Sequence, residues 1–219
     1  MFSSEEFINI HTHSLQTNPS VSQICSHSLN GNLPSEGFFS LGMHPWHIEE
    51  NKLETVLSLL MQFVTRPNVI AIGEIGLDRV IETKYELQET FFKAQLTVSE
   101  YFKKPVIIHS VKAHSDILFI RKSGSYKMPW IIHGFNANKN TADQLIKANI
   151  YLSFGEALLN EKSKAIEVFP LIPTKQIFLE TDESSHSIEE IYEKAAFLKK
   201  MTVEQLKQKI ADNFQTCFK

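Results

Sequence analysis

At 219 residues the chain is long enough for one sizeable core and short for two, so a single domain over 1–219 is expected. Its 42% hydrophobic and 21% charged residues suit a globular enzyme, and a formal net charge of −3 excludes a global basic footprint for nucleic acid. No apolar stretch approaches the roughly 20 residues of a membrane span, and no basic-then-apolar leader opens the chain, so the expectation is a cytoplasmic protein with no membrane association and no obligate protein partner.

The first predicted strand, Phe7–Ile10, carries Asn9 and runs into His11 and His13. In an extended chain residues two apart share a face, with Cα atoms about 7 Å apart. Taken alone, the pair suits a core filler as well as a metal. A second strand follows at Val21–Cys25 and a third at Gly37–Leu41, the latter running into "GMHPWH" with His44 and His47. Residues 14–20 and 26–36 between these strands are short, polar and rich in Asn, Ser, Pro and Gly, which leaves no room for a crossover helix. Cys25 and Cys217 lie far apart, without metal-type spacing, and read as two reduced thiols.

Beyond the third strand, Leu53, Val56, Leu60 and Val64 mark an amphipathic helix. The strand Val69–Ile72 then runs into "GEIGLD" with Glu74 and Asp78, and Leu87, Phe91, Ala94, Val98 and Phe102 define the next helical stripe. Val106–Ile108 ends at His109, Trp130–Ile132 at His133, and Ile177–Leu179 at Glu180 and Asp182, with Ile150–Phe154 between the last two. Two C-terminal helices carry Ile188, Ile191, Ala195 and Leu198, then Val203, Leu206, Ile210 and Phe214. These stripes are packing surface.

Eight strands, several of them continuous apolar runs, alternate with helices and predict an α/β fold: a distorted (β/α)8 TIM-type barrel with one or two early crossover helices shortened or missing. A doubly wound open sheet is the rival. Most apolar runs close in a His, Glu or Asp, and in a barrel those C-terminal ends share one mouth. Singly, each such residue has an ordinary explanation; Asp182, for instance, would serve as a helix cap. Together they form a nitrogen and carboxylate set without thiolates, suited to divalent metals and costly to bury otherwise.

Along nearly its whole length the chain resembles the TatD-related metal-dependent deoxyribonucleases of the amidohydrolase superfamily. The resemblance runs through "NIHTHS", "LGMHPW", "AIGEIGLD", "ETFFKAQLTVSEYFKKPVIIHS", "IIHGF", "NIYLSFGEAL" and "IFLETD", with "GEIGLD" the most specific string. It implies two divalent ions (Zn, Mn or Mg): His11, His13 and Asp182 on one, His109 and His133 on the other, and Glu74 between them. Asp182 is then the candidate general base beside the attacking water, and Glu74 the second catalytic carboxylate. Asn9, standing where the family usually has Asp, and Asp78 are expected to orient the ligands from outside.

The implied substrate is DNA, single-stranded or at frayed ends, cleaved as an exonuclease would. His44, Lys112, His114 and His186 are candidate substrate contacts, with Lys139 a further cation near the mouth. Arg79 replaces a usual aromatic residue, Val111 a usual arginine, and "ESSHS" a proline-containing loop, so the substrate-facing loops are expected to be remodelled. Two alternatives stay open: a small-molecule amidohydrolase or phosphoesterase on the same barrel, and a non-catalytic metal-binding barrel.

Overall fold

The structure, a computed structural model, describes residues 2–29 and 32–218. All eight expected strands form: β1 (Phe7–Thr12), β2 (Val21–Ser28), β3 (Phe38–Gly42), β4 (Val69–Asp78), β5 (Val106–Val111), β6 (Trp130–Ile132), β7 (Ile150–Phe154) and β8 (Ile177–Leu179). They make one sheet in the order β1 to β8, which is the topology of the (β/α)8 class and excludes the doubly wound order. Seven helices accompany them among the described residues: α1 (Leu53–Phe63), α2 (Tyr85–Phe102), α3 (His114–Ser123), α4 (Lys139–Lys147), α5 (Lys164–Val168), α6 (Ile188–Lys199) and α7 (Val203–Cys217). Residues 13–20 carry no helix, nor do residues 29 and 32–37. Asn30 and Gly31, part of the second polar connection, lie outside the described residues.

The chain packs as two compact units, one running up to Cys25 and again from Ile132 onward, the other Ser26–Ile131. In the second unit β4 is six residues longer than its apolar run, so Glu74 and Asp78 lie within the strand rather than after it. Backbone pairing does not depend on side-chain polarity, which is why the strand continues through "GEIGLD". Ile72 pairs with Val106 and Ile75 with Ile108, three residues advancing against two, so Gly73 and Glu74 form a bulge. Gly76 opposes His109 so closely that a Cβ there would meet the His109 carbonyl oxygen at 1.9 Å.

Helix α2 buries Phe91 and Val98 of the expected stripe but turns two glutamines inward beside them. Gln88, Phe91, Phe92, Gln95, Leu96, Val98 and Ser99 face inward, while Leu87 and Ala94 are half-buried. The two glutamines replace missing backbone partners at strand ends. Gln88 accepts from Asp78 N (2.8 Å) and donates to Asp78 O (3.0 Å). Gln95 accepts from Met43 N (2.7 Å) and donates to Met43 O (3.2 Å), pinning the residue before His44.

In the first unit β8 pairs in parallel with β7, Leu152 opposite Ile177 and Phe154 opposite Leu179. Beyond β8 the chain meets β1 at a bridge between Thr12 and Asp182. Nearer its start β1 is held by Tyr192 of α6, whose hydroxyl donates to Ile8 O (3.0 Å) and accepts from Ile8 N (3.1 Å). Both C-terminal helices open with reciprocal caps, Ser187 with Glu190 and Thr202 with Gln205. No helix among the described residues is long and apolar enough to cross a membrane.

Candidate metal centre

In the first unit, β1 presents His11, His13 follows its last residue, and the residues following β8 present Asp182. Asp182 Oδ1 lies 3.5 Å from His11 Nε2 and 3.3 Å from His13 Nε2. His11 is fully buried, whereas the side chains of His13 and Asp182 are 37% and 41% exposed, so the group opens to solvent on one side. Backbone contacts hold the carboxylate: Asp182 N donates to His11 O (3.0 Å), and His13 N and Thr12 Oγ1 donate to Asp182 O, each at 3.3 Å. These bonds keep Asp182 in the left-handed region at φ +54°, a conformation that Asp tolerates better than most residues. Burial works to raise the Asp182 carboxyl, but hydrogen bonds from His11 and His13 outweigh it and hold it well below the usual carboxylate range.

Asn9 does not reach into this group. Its Nδ2 donates to Thr181 Oγ1 (2.8 Å) and its Oδ1 accepts from Thr181 N (3.1 Å), a buried reciprocal pair that fixes the residue before Asp182. His133 follows β6, and its ring lies 4.4 Å from that of His11. His133 Nδ1 is 3.4 Å from Oε1 of Glu180, a fully buried carboxylate that also accepts from Gly134 N at 2.6 Å. Glu180 ends the same apolar run as Asp182 and was not among the expected site residues. The signal that could have found it is a second carboxylate two positions earlier, on the same face of an extended segment.

In the second unit a closed polar circuit joins five side chains. Glu74 Oε1 lies 2.9 Å from His109 Nδ1 and 3.1 Å from His44 Nε2. On the far side of the His109 ring, Nε2 lies 3.1 Å from Asp78 Oδ2, which also accepts from Trp46 Nε1 at 2.8 Å. Trp46 N in turn donates to His44 Nδ1 at 3.2 Å. That last bond takes the Nδ1 lone pair, so neutral His44 carries its proton on Nε2 and acts as a donor rather than a ligand. Burial pushes the His44 imidazole down despite its bond to Glu74, favouring that neutral form. Burial also opposes ionisation of Asp78, but bonds from Trp46, Val80 N and His109 hold its carboxyl below the usual range.

Both groups fit divalent cations. Two atoms bonded at about 2.1 Å to one tetrahedral ion stand about 3.4 Å apart, matching the 3.5 and 3.3 Å of the His11, His13 and Asp182 atoms. In the second group a cation bound to Glu74 would face His109 Nδ1, which lies 2.9 Å from Glu74 Oε1. Asp78 lies on the other side of that ring, at Nε2.

Lys112 is exposed in the left-handed region just after β5. His114 is the first residue of α3, its imidazole pushed down by burial. His186 Nδ1 lies 3.6 Å from Glu190 of α6, and Lys139 pairs with Asp143 on its own helix. Arg79 grips Asp116 of α3 with Nε (2.9 Å) and Nη2 (2.8 Å) and lies 4.0 Å over the Tyr85 ring.

Comparison with known proteins gives a consistent result. The family model described as TatD related DNase matches residues 5–219. The uncharacterised metal-dependent hydrolase YabD of Bacillus subtilis is 28% identical over 199 residues, covering 83% of this chain and 77% of that protein. An uncharacterised metal-dependent hydrolase of Buchnera aphidicola is 31% identical over 147 residues, which span 65% of this chain but only 54% of the relative. Among solved structures, YJJV, a TatD homologue from Escherichia coli, superposes with a TM-score of 0.83 at 20% identity over 99% of both chains. A TatD family hydrolase from Entamoeba histolytica gives 0.78 at 16% identity over 98% of both, so the fold is shared where the sequence has diverged.

Proposed function

The chain belongs to the TatD related DNase family, and from that membership and its two ligand groups we propose a divalent-metal-dependent phosphodiesterase that hydrolyses DNA, as an exonuclease on accessible ends. The observation that carries this reading is the pair of imidazole nitrogens facing one carboxylate oxygen in the first group, at 3.5 and 3.3 Å, beside solvent.

In this reading His11, His13 and Asp182 would hold one ion, Glu74 and His109 would serve a second, and His133 would be the sixth ligand. Bound divalent cations supply Lewis acidity toward a phosphoryl oxygen and acidify water. Asp182, ionised at neutral pH, accepts the proton of the attacking water. The water oxygen forms the new bond to phosphorus as the bond to the leaving oxygen breaks; that oxygen departs with the electron pair and takes a proton from solvent to become a hydroxyl. His44 donates its Nε2–H to Glu74 and so holds that carboxylate in place. Asp78 and Thr181 do no chemistry; they hold His109 and the segment carrying Asp182.

The test is hydrolysis of end-labelled single- and double-stranded DNA by chelator-treated protein, with Zn²⁺, Mn²⁺ or Mg²⁺ restored singly, beside phosphomonoesters, lactones and cyclic amides. Metal-dependent shortening of DNA from an end is expected. Turnover of the small molecules alone would replace the nuclease reading with the small-molecule one, and no bindable ion would leave a non-catalytic barrel.

A further inference from the structure

Trp46 combines two properties that rarely coincide. It is 61% exposed, yet its ring is fixed by the Nε1 bond to Asp78, a carboxylate only 1% exposed. The backbone N of the same residue is fixed by His44 Nδ1. The indole stands at 89° to the His44 ring, centroids 5.1 Å apart, and at 77° to that of His109, 6.0 Å away. Supporting Asp78 requires only an N–H. It does not explain a bicyclic apolar ring left largely in water, beside the two imidazoles of the second group.

We infer that the exposed face of Trp46 is a stacking platform for a nucleobase of the substrate, seated beside the Glu74 and His109 group. The inference rests on the nuclease reading and adds what that reading lacks, a contact for something other than phosphate. A nucleotide joins a flat ring to its phosphate through one sugar, so a base lying on this indole keeps its phosphate near the group. The indole N–H is already committed to Asp78, so the ring offers its face and no hydrogen bond to a base edge. The platform therefore distinguishes a base from no base, and purine from pyrimidine only through stacking area.

The experiment compares KM for short single-stranded oligonucleotides ending in adenines with KM for matched ones ending in abasic sites, at equal phosphate count. In the wild-type protein the adenine ends are expected to bind about 10- to 100-fold more tightly, the range of one stacked base. Trp46→Leu brings the two KM values together. Trp46→Phe keeps part of the difference, since a smaller flat ring remains although the bond to Asp78 is gone. As a reading independent of turnover, Trp130→Phe leaves Trp46 as the remaining tryptophan of two, and a phosphorothioate adenine oligonucleotide is expected to quench its emission where the abasic one does not. DNA hydrolysis with the same KM ratio in wild type and Trp46→Leu would overturn the platform alone. Failure of the wild type to hydrolyse either oligonucleotide would overturn the nuclease reading and the platform with it.

Discussion

Asp78 Oδ2 lies 3.1 Å from His109 Nε2, on the side of the imidazole ring opposite Glu74. The contact sets the ring's orientation and aims Nδ1 at the Glu74 carboxylate. Asp78 is itself held by the backbone N of Val80, at 2.9 Å, and by both bonds from Gln88 to its main chain.

Asp78→Asn should therefore weaken metal binding by about 10- to 100-fold without removing a ligand. Titration of chelator-treated protein with Mn²⁺ or Zn²⁺, followed by calorimetry, measures it. An unchanged affinity would mean that the His109 ring is oriented by Glu74 alone.

Loss of a ligand or of the base should cost more. His109→Ala and Asp182→Asn are each expected to lower kcat/KM on end-labelled single-stranded DNA by about 10²- to 10⁴-fold. Wild-type turnover in either variant would remove that residue from the mechanism.

Asn9→Asp tests the departure from the usual Asp in the first string. The carboxylate retains the bond from Thr181 N and, with Thr181 Oγ1 now donating, the second bond as well. It also adds a negative charge at a site only 3% exposed. Metal-free protein should lose about 1–3 kcal/mol of stability, and the rise in Tm on adding Mn²⁺ should be larger than in the wild type. Equal Tm values for the two proteins with and without metal would make the substitution neutral.

Gln88→Leu leaves the backbone N and O of Asp78 without their side-chain partner inside the protein. A loss of about 2–6 kcal/mol in urea unfolding is expected, since each of the two orphaned groups carries its full desolvation cost. Gln95→Leu should behave alike at Met43.

The Arg79 and Asp116 pair predicts a pH window. The Arg79 guanidinium, ahead of a partly opposing burial effect, holds the Asp116 carboxyl below its ordinary value near 3.8. A carboxyl depressed on folding contributes stability above its unfolded value, and that contribution disappears as pH falls through the folded one. Asp116→Asn should lower Tm at pH 7, and the gap between variant and wild type should close as pH drops below about 3.8. A gap of constant size down to pH 2 would show that packing, not the ion pair, is lost.

Much of this was legible in the residues. Trp130–Ile132, Ile150–Phe154 and Ile177–Leu179 are strands from end to end because short, continuous apolar runs have one way to be buried on both faces. That the described residues 13–20, 29 and 32–37 carry no helix followed from connections too short to hold one. What misled was hydrophobicity where polar groups are structural. Strand β4 runs past its last expected residue, Ile72, to Asp78, and α2 turns Gln88 and Gln95 inward, because backbone atoms at strand ends need partners that Leu87 and Ala94 cannot offer.

The (β/α)8 class and the inventory of imidazoles and carboxylates at strand ends are readable along the chain, since both depend on local periodicity and on where each apolar run stops. Their contacts are set by the tertiary structure. That His44 is a donor, that Asp78 supports His109, that Asn9 grips Thr181 and that Trp46 keeps a fixed face in solvent all depend on single ring nitrogens and oxygens from segments far apart in the chain. A hydrogen bond is decided over a few tenths of an ångström, and that is set by packing rather than by spacing along the chain.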